Sequence, residues 1–302
     1  MNEILWAPSD DRIARTHLRR FMDTAPGGPS TYEELWEWSV SDLPAFWEKV
    51  WHDCGIIASQ RYERVMGEPR MPGTQWFSGA RLNFAENLLR RRDDYPALIG
   101  AGEGRDDEVV TYAQLYRLVA RARQGLADLE VGEGDRVAAL MPNCVETVVL
   151  MLATTALGAT WSSTSPDFGP MGVVDRFGQI APRVLVAADG YRYNGTTHRL
   201  QDKLREILQR IEGIEQVVTV DFAGTDLEVA GRSTLTYDDL LSNSASEVAF
   251  AQLPFDHPLY VLFSSGTTGP PKSIVHGAGG TLVKHLCEHR LHTDLHAGQD
   301  VI

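Results

Sequence analysis

The chain has 302 residues, of which 43% are hydrophobic and 23% charged, and its formal net charge is −13 at pH 7. These values are typical of a soluble globular protein that folds as one large or two medium domains. The acidic balance argues against a nucleic-acid partner, because contact with a phosphate backbone requires a basic face. Cys54, Cys144 and Cys287 are far apart and form no C-x-x-C pair, so the sequence predicts no disulfide framework and a reducing, cytoplasmic location.

The most apolar segment of the chain does not predict a membrane span. It runs from Val145 to Trp161, contains Glu146 and is shorter than a bilayer requires. Near the N-terminus, Asp10 and Arg12 interrupt the region in which a secretory leader would need its apolar core. The sequence therefore predicts no membrane partner and no leader.

Residues 1–92 are predicted to form a helical region that is rich in tryptophan. Ser9 and the capping box formed by Thr31 and Glu34 are typical helix starts. The predicted helices cover residues 10–22, 32–38 and 41–54. In the third of these, apolar side chains such as Trp47 and Trp51 recur at helical spacing, which indicates a hydrophobic core rather than a cofactor site.

A charged run from Arg90 to Asp94 marks the predicted domain boundary, which we place after residue 92. Beyond it, short apolar strands alternate with helices. The predicted strands are 97–101, 108–111, 136–141, 159–163, 183–189 and 216–221, and the predicted helices are 112–129, 145–157, 171–180 and 198–211. Near-continuous apolar strands separated by helices are typical of a parallel sheet covered on both faces, so the predicted fold class is α/β.

A loop of small residues near the C-terminal end is the predicted functional site. The apolar run Leu259–Phe263 predicts a buried strand, and the sequence then continues Ser264-Ser-Gly-Thr-Thr-Gly-Pro-Pro-Lys272. Glycines let backbone N–H groups approach an anion closely, hydroxyls add donors, and a lysine supplies positive charge. The candidate residues for binding the phosphates of ATP are Ser264, Ser265, Gly266, Thr267, Thr268, Gly269 and Lys272.

Two other interpretations of this loop make different predictions. A Walker phosphate loop requires glycine directly before the lysine, and Pro271 occupies that position, so this interpretation fails. A hairpin loop that binds no ligand would have the same composition, and the residue types alone leave it open.

The same stretch resembles the signature loop of the adenylate-forming acyl-CoA synthetases, whose usual form is [YFT]-[ST]-S-G-[ST]-T-G-x-P-K-G. One position differs, because Ser273 stands where that family usually has glycine. Residues 131–143 resemble the family's G-x-x-x-G-D-x-V-x-x-x-x-P-N element, and residues 76–89 resemble the junction before the adenylation core in its acetyl-CoA synthetase branch. The resemblance implies an incomplete adenylation (AMP-binding) core at residues 93–302, preceded by a helical N-terminal extension at residues 1–92.

The resemblance also implies a contact with CoA. Arg192 stands where the acetyl-CoA synthetases carry an arginine that contacts CoA, and a guanidinium group can pair with a CoA phosphate. A solvent-exposed arginine with no ligand is the alternative. The second arginine of that family site is not matched, because Tyr193-Asn-Gly195 follows.

Residues 5–9 and 274–280 are most similar to the acetoacetate–CoA ligase branch of the family. This similarity implies that ATP, Mg²⁺ and CoA serve a ligase that converts a short-chain acid, acetoacetate, first to an acyl-adenylate and then to a CoA thioester. The family's catalytic residues are expected beyond Ile302, so we expect a fragment that is inactive without the C-terminal part of the same polypeptide. The alternatives are a ligase for another short acid and a non-catalytic module that binds a nucleotide or CoA.

A histidine-rich segment follows the candidate loop. His285-Leu-Cys-Glu-His289 matches the H-x-x-E-H pattern of some zinc proteases, and His292 and His296 continue at helical spacing. The segment comes directly after the loop and offers no evident third ligand. The sequence therefore predicts no metal site.

Overall fold

The computed structural model of the chain describes residues 5–265 and 269–298. The chain divides into two compact units. The first unit contains the residues up to Arg81, the short segment Pro254–Asp256 and the residues from Gly279 onward. The second unit contains Leu82–Leu253 and His257–Ala278.

The helices and strands have the following bounds. The helices are α1 (Asp10–Arg15), α2 (His17–Asp23), α3 (Tyr32–Ser41), α4 (Leu43–Asp53), α5 (Phe84–Leu88), α6 (Tyr112–Asp128), α7 (Val145–Ala156), α8 (Pro170–Ile180), α9 (Gln201–Arg210), α10 (Tyr237–Leu240) and α11 (Ala278–Cys287), and a π-helical turn at Glu288–His292 follows α11. The strands are β1 (Arg64–Met66), β2 (Trp76–Ser78), β3 (Arg81–Leu82), β4 (Pro96–Gly100), β5 (Glu108–Thr111), β6 (Arg136–Leu140), β7 (Thr160–Thr164), β8 (Val184–Ala188), β9 (Gly190–Tyr193), β10 (Thr196–Arg199), β11 (Gln216–Val220), β12 (Ser233–Thr236), β13 (Leu253–Pro254), β14 (Pro258–Ser264) and β15 (Lys272–Gly277).

The helices at the start of the first unit follow the caps that the sequence predicts, with one break. Thr31 and Glu34 form the predicted capping box at the start of α3. The helix predicted over residues 10–22 divides at Thr16, whose extended backbone ends α1. The hydroxyl of Thr16 accepts a hydrogen bond from the backbone N–H of Arg19, so the same residue caps α2.

Aromatic side chains form the core of the first unit. Trp51 stacks on Phe77 with ring centroids 4.7 Å apart, and Phe255 lies 4.9 Å from Phe77. Val50 and Trp51 on α4 are buried, in agreement with the core interpretation of the tryptophan-rich helix.

The second unit contains a sheet whose strand order is β12, β11, β8, β6, β7, β14, β15. Neighbouring strands from β12 to β14 run parallel, whereas β15 runs antiparallel to β14. Every residue of β8 is buried, as are the last four residues of β6. Successive side chains of a strand point to opposite faces of the sheet, so a strand that is buried at consecutive positions lies in a sheet that is covered on both faces. The predicted α/β class with a largely parallel, doubly covered sheet is confirmed.

One predicted helix begins later than expected. The sequence predicts a helix over residues 198–211, but β9 and β10 form an antiparallel hairpin and α9 begins only at Gln201. Asn194 and Gly195 at the turn have φ values of 50° and 75°. An Asn-Gly pair is the typical sequence of a two-residue hairpin turn, because both residues tolerate positive φ.

Two further predictions concern the whole chain. Within the described residues, the structure contains no helix that is long and apolar enough to cross a membrane. The first boundary between the two compact units follows Arg81. This boundary comes from packing within the chain and not from family membership. The assignment of residues 1–92 and 93–302 to two family domains therefore stays a prediction.

Candidate functional site

Strand β14 places the start of the candidate loop at the carboxyl edge of the parallel strands. It pairs with β7 through Tyr260 and Trp161, and the buried hydroxyl of Ser162 donates a hydrogen bond to the carbonyl oxygen of Val261 at 2.8 Å. Because β14 runs parallel to β7, its last residue, Ser264, lies where the other parallel strands end. Open α/β sheets bind their ligands at this edge.

The loop closes as a hairpin between two antiparallel strands. Ser264 at the end of β14 is the register partner of Lys272 at the start of β15. A Walker loop leads into a helix, so the strand that follows here agrees with the exclusion of that motif. Both Ser264 and Lys272 are exposed, and Lys272 forms no ion pair with any residue in the described ranges. Its ammonium group is available to a ligand.

Gly269 gives the loop a turn that other residues would not adopt readily. Its φ is +92°, in the region that favours glycine, and among the described residues a Cβ there would meet no atom within 4 Å. The requirement for glycine therefore comes from the backbone conformation and not from crowding.

A side chain from helix α8 holds the exit of the loop. Gln179 donates a hydrogen bond through Nε2 to the carbonyl oxygen of Pro271 at 2.8 Å, and also to the carbonyl oxygen of Asp175 at 2.6 Å. Sequence reasoning missed Gln179, because it lies 92 residues before Pro271 and belongs to no motif. Its position indicates that α8 supports the loop.

The structure describes four of the predicted phosphate-binding residues. Ser264, Ser265, Gly269 and Lys272 are exposed and lie on or beside the hairpin. The other three, Gly266, Thr267 and Thr268, lie outside the described residues. The phosphate-binding role of all seven stays a prediction.

Asp189 follows β8 and orders the turn that comes after the neighbouring strand β11. Its buried carboxylate accepts hydrogen bonds from the backbone N–H groups of Phe222, Ala223 and Thr225. Burial alone would raise the pKa of Asp189, but these hydrogen bonds outweigh it and hold the pKa below its ordinary value. Asp189 therefore has a structural role at this edge, because its acceptor oxygens are occupied by the chain.

Arg192 lies on strand β9, away from any described contact with the candidate loop. Its side chain is exposed, and Nη1 donates a hydrogen bond to the carbonyl oxygen of Gly104 at 3.4 Å. The same hairpin is joined to this region by a hydrogen bond from the backbone N–H of Gly195 to the carboxylate of Glu103. The guanidinium keeps further donors for a phosphate group, so the structure leaves both interpretations of Arg192 open.

A second lysine lies near the carboxyl edge. Lys203 on α9 donates a hydrogen bond to the carbonyl oxygen of Pro166, which follows β7. Burial lowers the pKa of Lys203, and the nearby carboxylate of Asp167 partly opposes this effect. Lys203 carries no sequence signal of its own, because a lone lysine in an amphipathic helix is usually a solvated side chain.

A wide groove lies at the other edge of the sheet. Its volume is about 720 Å³, and its walls include Gly134, Thr160 and Pro258, which lie at or before the starts of β6, β7 and β14. The amino edge of the sheet is not where the candidate loop emerges, so this groove does not contribute to the predicted phosphate site.

The structure thus defines an α/β protein with a hairpin of glycine, hydroxyl residues and lysine at the ligand-binding edge of its sheet. The family model described as AMP-binding enzyme matches residues 84–302, and the chain belongs to this family. A second model, described as acetyl-coenzyme A synthetase N-terminus, matches residues 32–88. The resemblance seen in the sequence is confirmed.

Individual relatives match over nearly the whole chain. An acetoacetyl-coenzyme A synthetase of Rhizobium meliloti (strain 1021) is 45% identical over 98% of this chain and 46% of its own length. The malonamoyl-CoA synthetase vrtB of Penicillium aethiopicum is 41% identical over 98% of this chain and 43% of its own. The solved structure of acetoacetyl-CoA synthetase from Streptomyces lividans is 42% identical, with a TM-score of 0.91 over 97% of this chain and 46% of that one. The chain therefore spans about half the length of the relatives it matches.

Proposed function

We propose that the protein carrying this chain is an ATP-dependent acid–CoA ligase that activates acetoacetate. In this proposal residues 93–302 belong to the adenylation domain, and residues 1–92 form the N-terminal extension. The loop from Ser264 to Lys272 holds the β- and γ-phosphates of ATP. The observation that carries the proposal is the hairpin itself, which brings Ser264 and Lys272 together at the carboxyl edge of the sheet in a chain of the AMP-binding family.

The proposed reaction has two steps. In the first, a carboxylate oxygen of the acid attacks the α-phosphorus of ATP, the bond to the β-phosphate oxygen breaks, and pyrophosphate leaves. In the second, the sulfur of CoA attacks the acyl carbon, its thiol proton is lost, and AMP leaves as the thioester forms. Negative charge builds up on the leaving pyrophosphate in the first step, and fixed donors near that charge lower the barrier.

The loop contributes positioning and charge. Backbone N–H groups around Gly269 and the hydroxyls of Ser264 and Ser265 suit the phosphate oxygens, and Lys272 neutralises part of their charge. Mg²⁺ bound with ATP would neutralise more of that charge, and hydroxyl oxygens such as those of Ser264 and Ser265 are of the hard type that this ion accepts. Arg192 is proposed to contact a phosphate of CoA.

The names of the relatives favour a narrow class of acid. Acetoacetate and malonamate both have a second carbonyl group two carbons from the carboxylate. On that carbonyl group acetoacetate carries a methyl group, and malonamate carries an amino group. We therefore infer that the acid is a short 3-oxo carboxylate. A cytoplasmic location is part of the same proposal.

The experiment is ATP–pyrophosphate exchange with acetoacetate, measured on the whole protein that carries this chain. Lys272→Ala and Thr268→Ala are expected to lower the exchange rate by about 100-fold, the typical loss on removal of one charge-stabilising group. The matched control is Lys284→Ala, because Lys284 is an exposed lysine of α11 that pairs with Glu288. It is expected to leave exchange unchanged.

Two outcomes would contradict the proposal. Unchanged exchange in both loop variants would remove the role of the loop. Absence of exchange in the unmodified protein with acetoacetate, malonamate and acetate would favour a non-catalytic module that binds a nucleotide or CoA.

A further inference from the structure

Two histidines and an aspartate from opposite ends of the chain meet in the first unit. His17 Nδ1 lies 3.1 Å from Asp294 Oδ1, and His296 Nε2 lies 3.3 Å from Asp294 Oδ2. The two imidazole rings stack with centroids 4.3 Å apart and planes 28° apart. One ligand atom from each residue can be chosen so that all three lie within 4.8 Å of one another. We refer to these residues as the His–Asp–His cluster.

One carboxylate oxygen of Asp294 and one ring nitrogen of each histidine lie within 4.8 Å of one another and offer a zinc ion three ligands. The separations of 3.1 Å and 3.3 Å run to different oxygens of Asp294, and the two rings are stacked. Zinc bonds to histidine nitrogen and carboxylate oxygen are about 2.0–2.2 Å long, so binding requires the ligand atoms to draw together to roughly 3.3–3.5 Å and the rings to turn until their in-plane lone pairs meet at the ion. Three protein ligands leave the fourth position to a water molecule.

The cluster is partly sheltered but still open to a metal ion. The side chains of His17, Asp294 and His296 retain 16%, 33% and 30% of their exposure. This degree of burial strengthens electrostatic attraction to a cation and leaves a path for it to enter.

The guanidinium of Arg290 lies near enough to act on His17, and its positive charge opposes the binding of a cation.

The backbone holds Asp294 in place. Its φ is +54°, which aspartate tolerates better than most residues, and the backbone N–H of His17 donates a hydrogen bond to Oδ1 at 2.7 Å. A hydrogen bond of this kind orients a ligating carboxylate from outside the coordination sphere. The oxygen Oδ2 faces His296.

We propose that His17, Asp294 and His296 bind one zinc ion that links the start of α2 to the segment after the π-helical turn. The site differs from the H-x-x-E-H pattern at His285 and His289, whose rings lie 6.1 Å apart. The sequence predicted no metal site because His17 lies 277 residues before Asp294, and no spacing rule connects them.

The test measures zinc on the protein that carries this chain, purified without a histidine tag. After incubation with one equivalent of zinc chloride and gel filtration, the unmodified protein is expected to retain about one zinc per chain by mass spectrometry of the metal. Asp294→Asn keeps an acceptor for the N–H of His17 but removes the charged ligand. We expect it to weaken binding in calorimetric titration by more than the roughly 10- to 100-fold that loss of an outer-sphere partner causes.

A second variant separates the two histidine groups. His289→Gln removes the H-x-x-E-H pattern and leaves the His–Asp–His cluster intact, so it is expected to bind zinc like the unmodified protein. Cobalt replacement adds a readout of geometry, because tetrahedral Co²⁺ has strong visible absorption bands that Asp294→Asn is expected to abolish.

Three results would overturn the proposal. The first is that the unmodified protein retains no zinc. The second is that Asp294→Asn binds zinc with the same affinity as the unmodified protein. The third is that His289→Gln loses zinc while Asp294→Asn keeps it. The first would leave the cluster as a set of hydrogen bonds between two imidazoles and a carboxylate.

Discussion

The side-chain amide of Gln179 donates a hydrogen bond to the carbonyl oxygen of Pro271 across 2.8 Å. The contact fixes the residue directly before Lys272 to helix α8. A loop that acts by positioning phosphates depends on such supports, because misplaced donors stabilise charge less well.

Replacement of Gln179 by alanine is expected to weaken ATP binding. One intramolecular hydrogen bond contributes about 1 kcal/mol, so the KM for ATP should rise roughly fivefold. The KM for the acid should change little. Steady-state kinetics of the whole protein, with ATP and acid varied separately, measure both. Gln124→Ala is the control, because the side-chain amide of Gln124 donates a hydrogen bond to Asp128 within α6, and an equal effect there would refute the support role.

Replacement of Gly269 by alanine is expected to impair the loop through the backbone alone. A φ of +92° is strained for any residue with a side chain, at a cost of about 1–3 kcal/mol, although no described atom lies within 4 Å of a Cβ built there. ATP–pyrophosphate exchange should therefore fall while the protein remains folded by circular dichroism. Gly213→Ala is the control, since a side chain there also meets no atom within 4 Å and no positive φ is required. Full exchange activity in Gly269→Ala would show that the loop does not need this conformation.

Two glycines within helices should respond in opposite directions to the same substitution. A methyl group on Gly125 of α6 would lie 2.3 Å from the carbonyl oxygen of Leu240, so Gly125→Ala should lower the free energy of unfolding by about 1–3 kcal/mol. Gly178 of α8 has open space around it, and Gly178→Ala should raise that free energy by up to about 1 kcal/mol. Urea denaturation measures both changes. A similar effect of both variants would mean that α6 and α10 do not pack as closely as described.

The sequence predicted those features whose causes are local. The capping box at Thr111 begins α6 where expected, and the apolar run at Val184–Ala188 forms a fully buried strand. Both depend on residues that are close together in the chain. The contacts of Gln179 with Pro271 and of His17 with Asp294 span 92 and 277 residues, and only the folded chain brings these residues together. The hairpin at Asn194 does have a local signal, its Asn-Gly pair, and because of this hairpin α9 begins at Gln201, three residues after the predicted start.

The carboxylate of Asp189 should make stability depend on pH. Its pKa in the folded chain lies below the ordinary value of 3.8, because it accepts hydrogen bonds from three backbone N–H groups. The stabilisation is therefore fully present above pH 3.8 and is lost as pH falls through the folded-state pKa. Asp189→Asn replaces one acceptor oxygen by a donor, so it should lower the free energy of unfolding at neutral pH by about 1–3 kcal/mol.

The difference between the unmodified protein and Asp189→Asn should shrink as the pH is lowered below 3.8. Urea denaturation at neutral and acidic pH measures this difference. Asp221→Asn is the matched control, because Asp221 is exposed and accepts one hydrogen bond, from the backbone N–H of Gly224, in the same loop. A difference that stays constant with pH, or grows on acidification, would show that the ionised form of Asp189 does not stabilise the turn after β11.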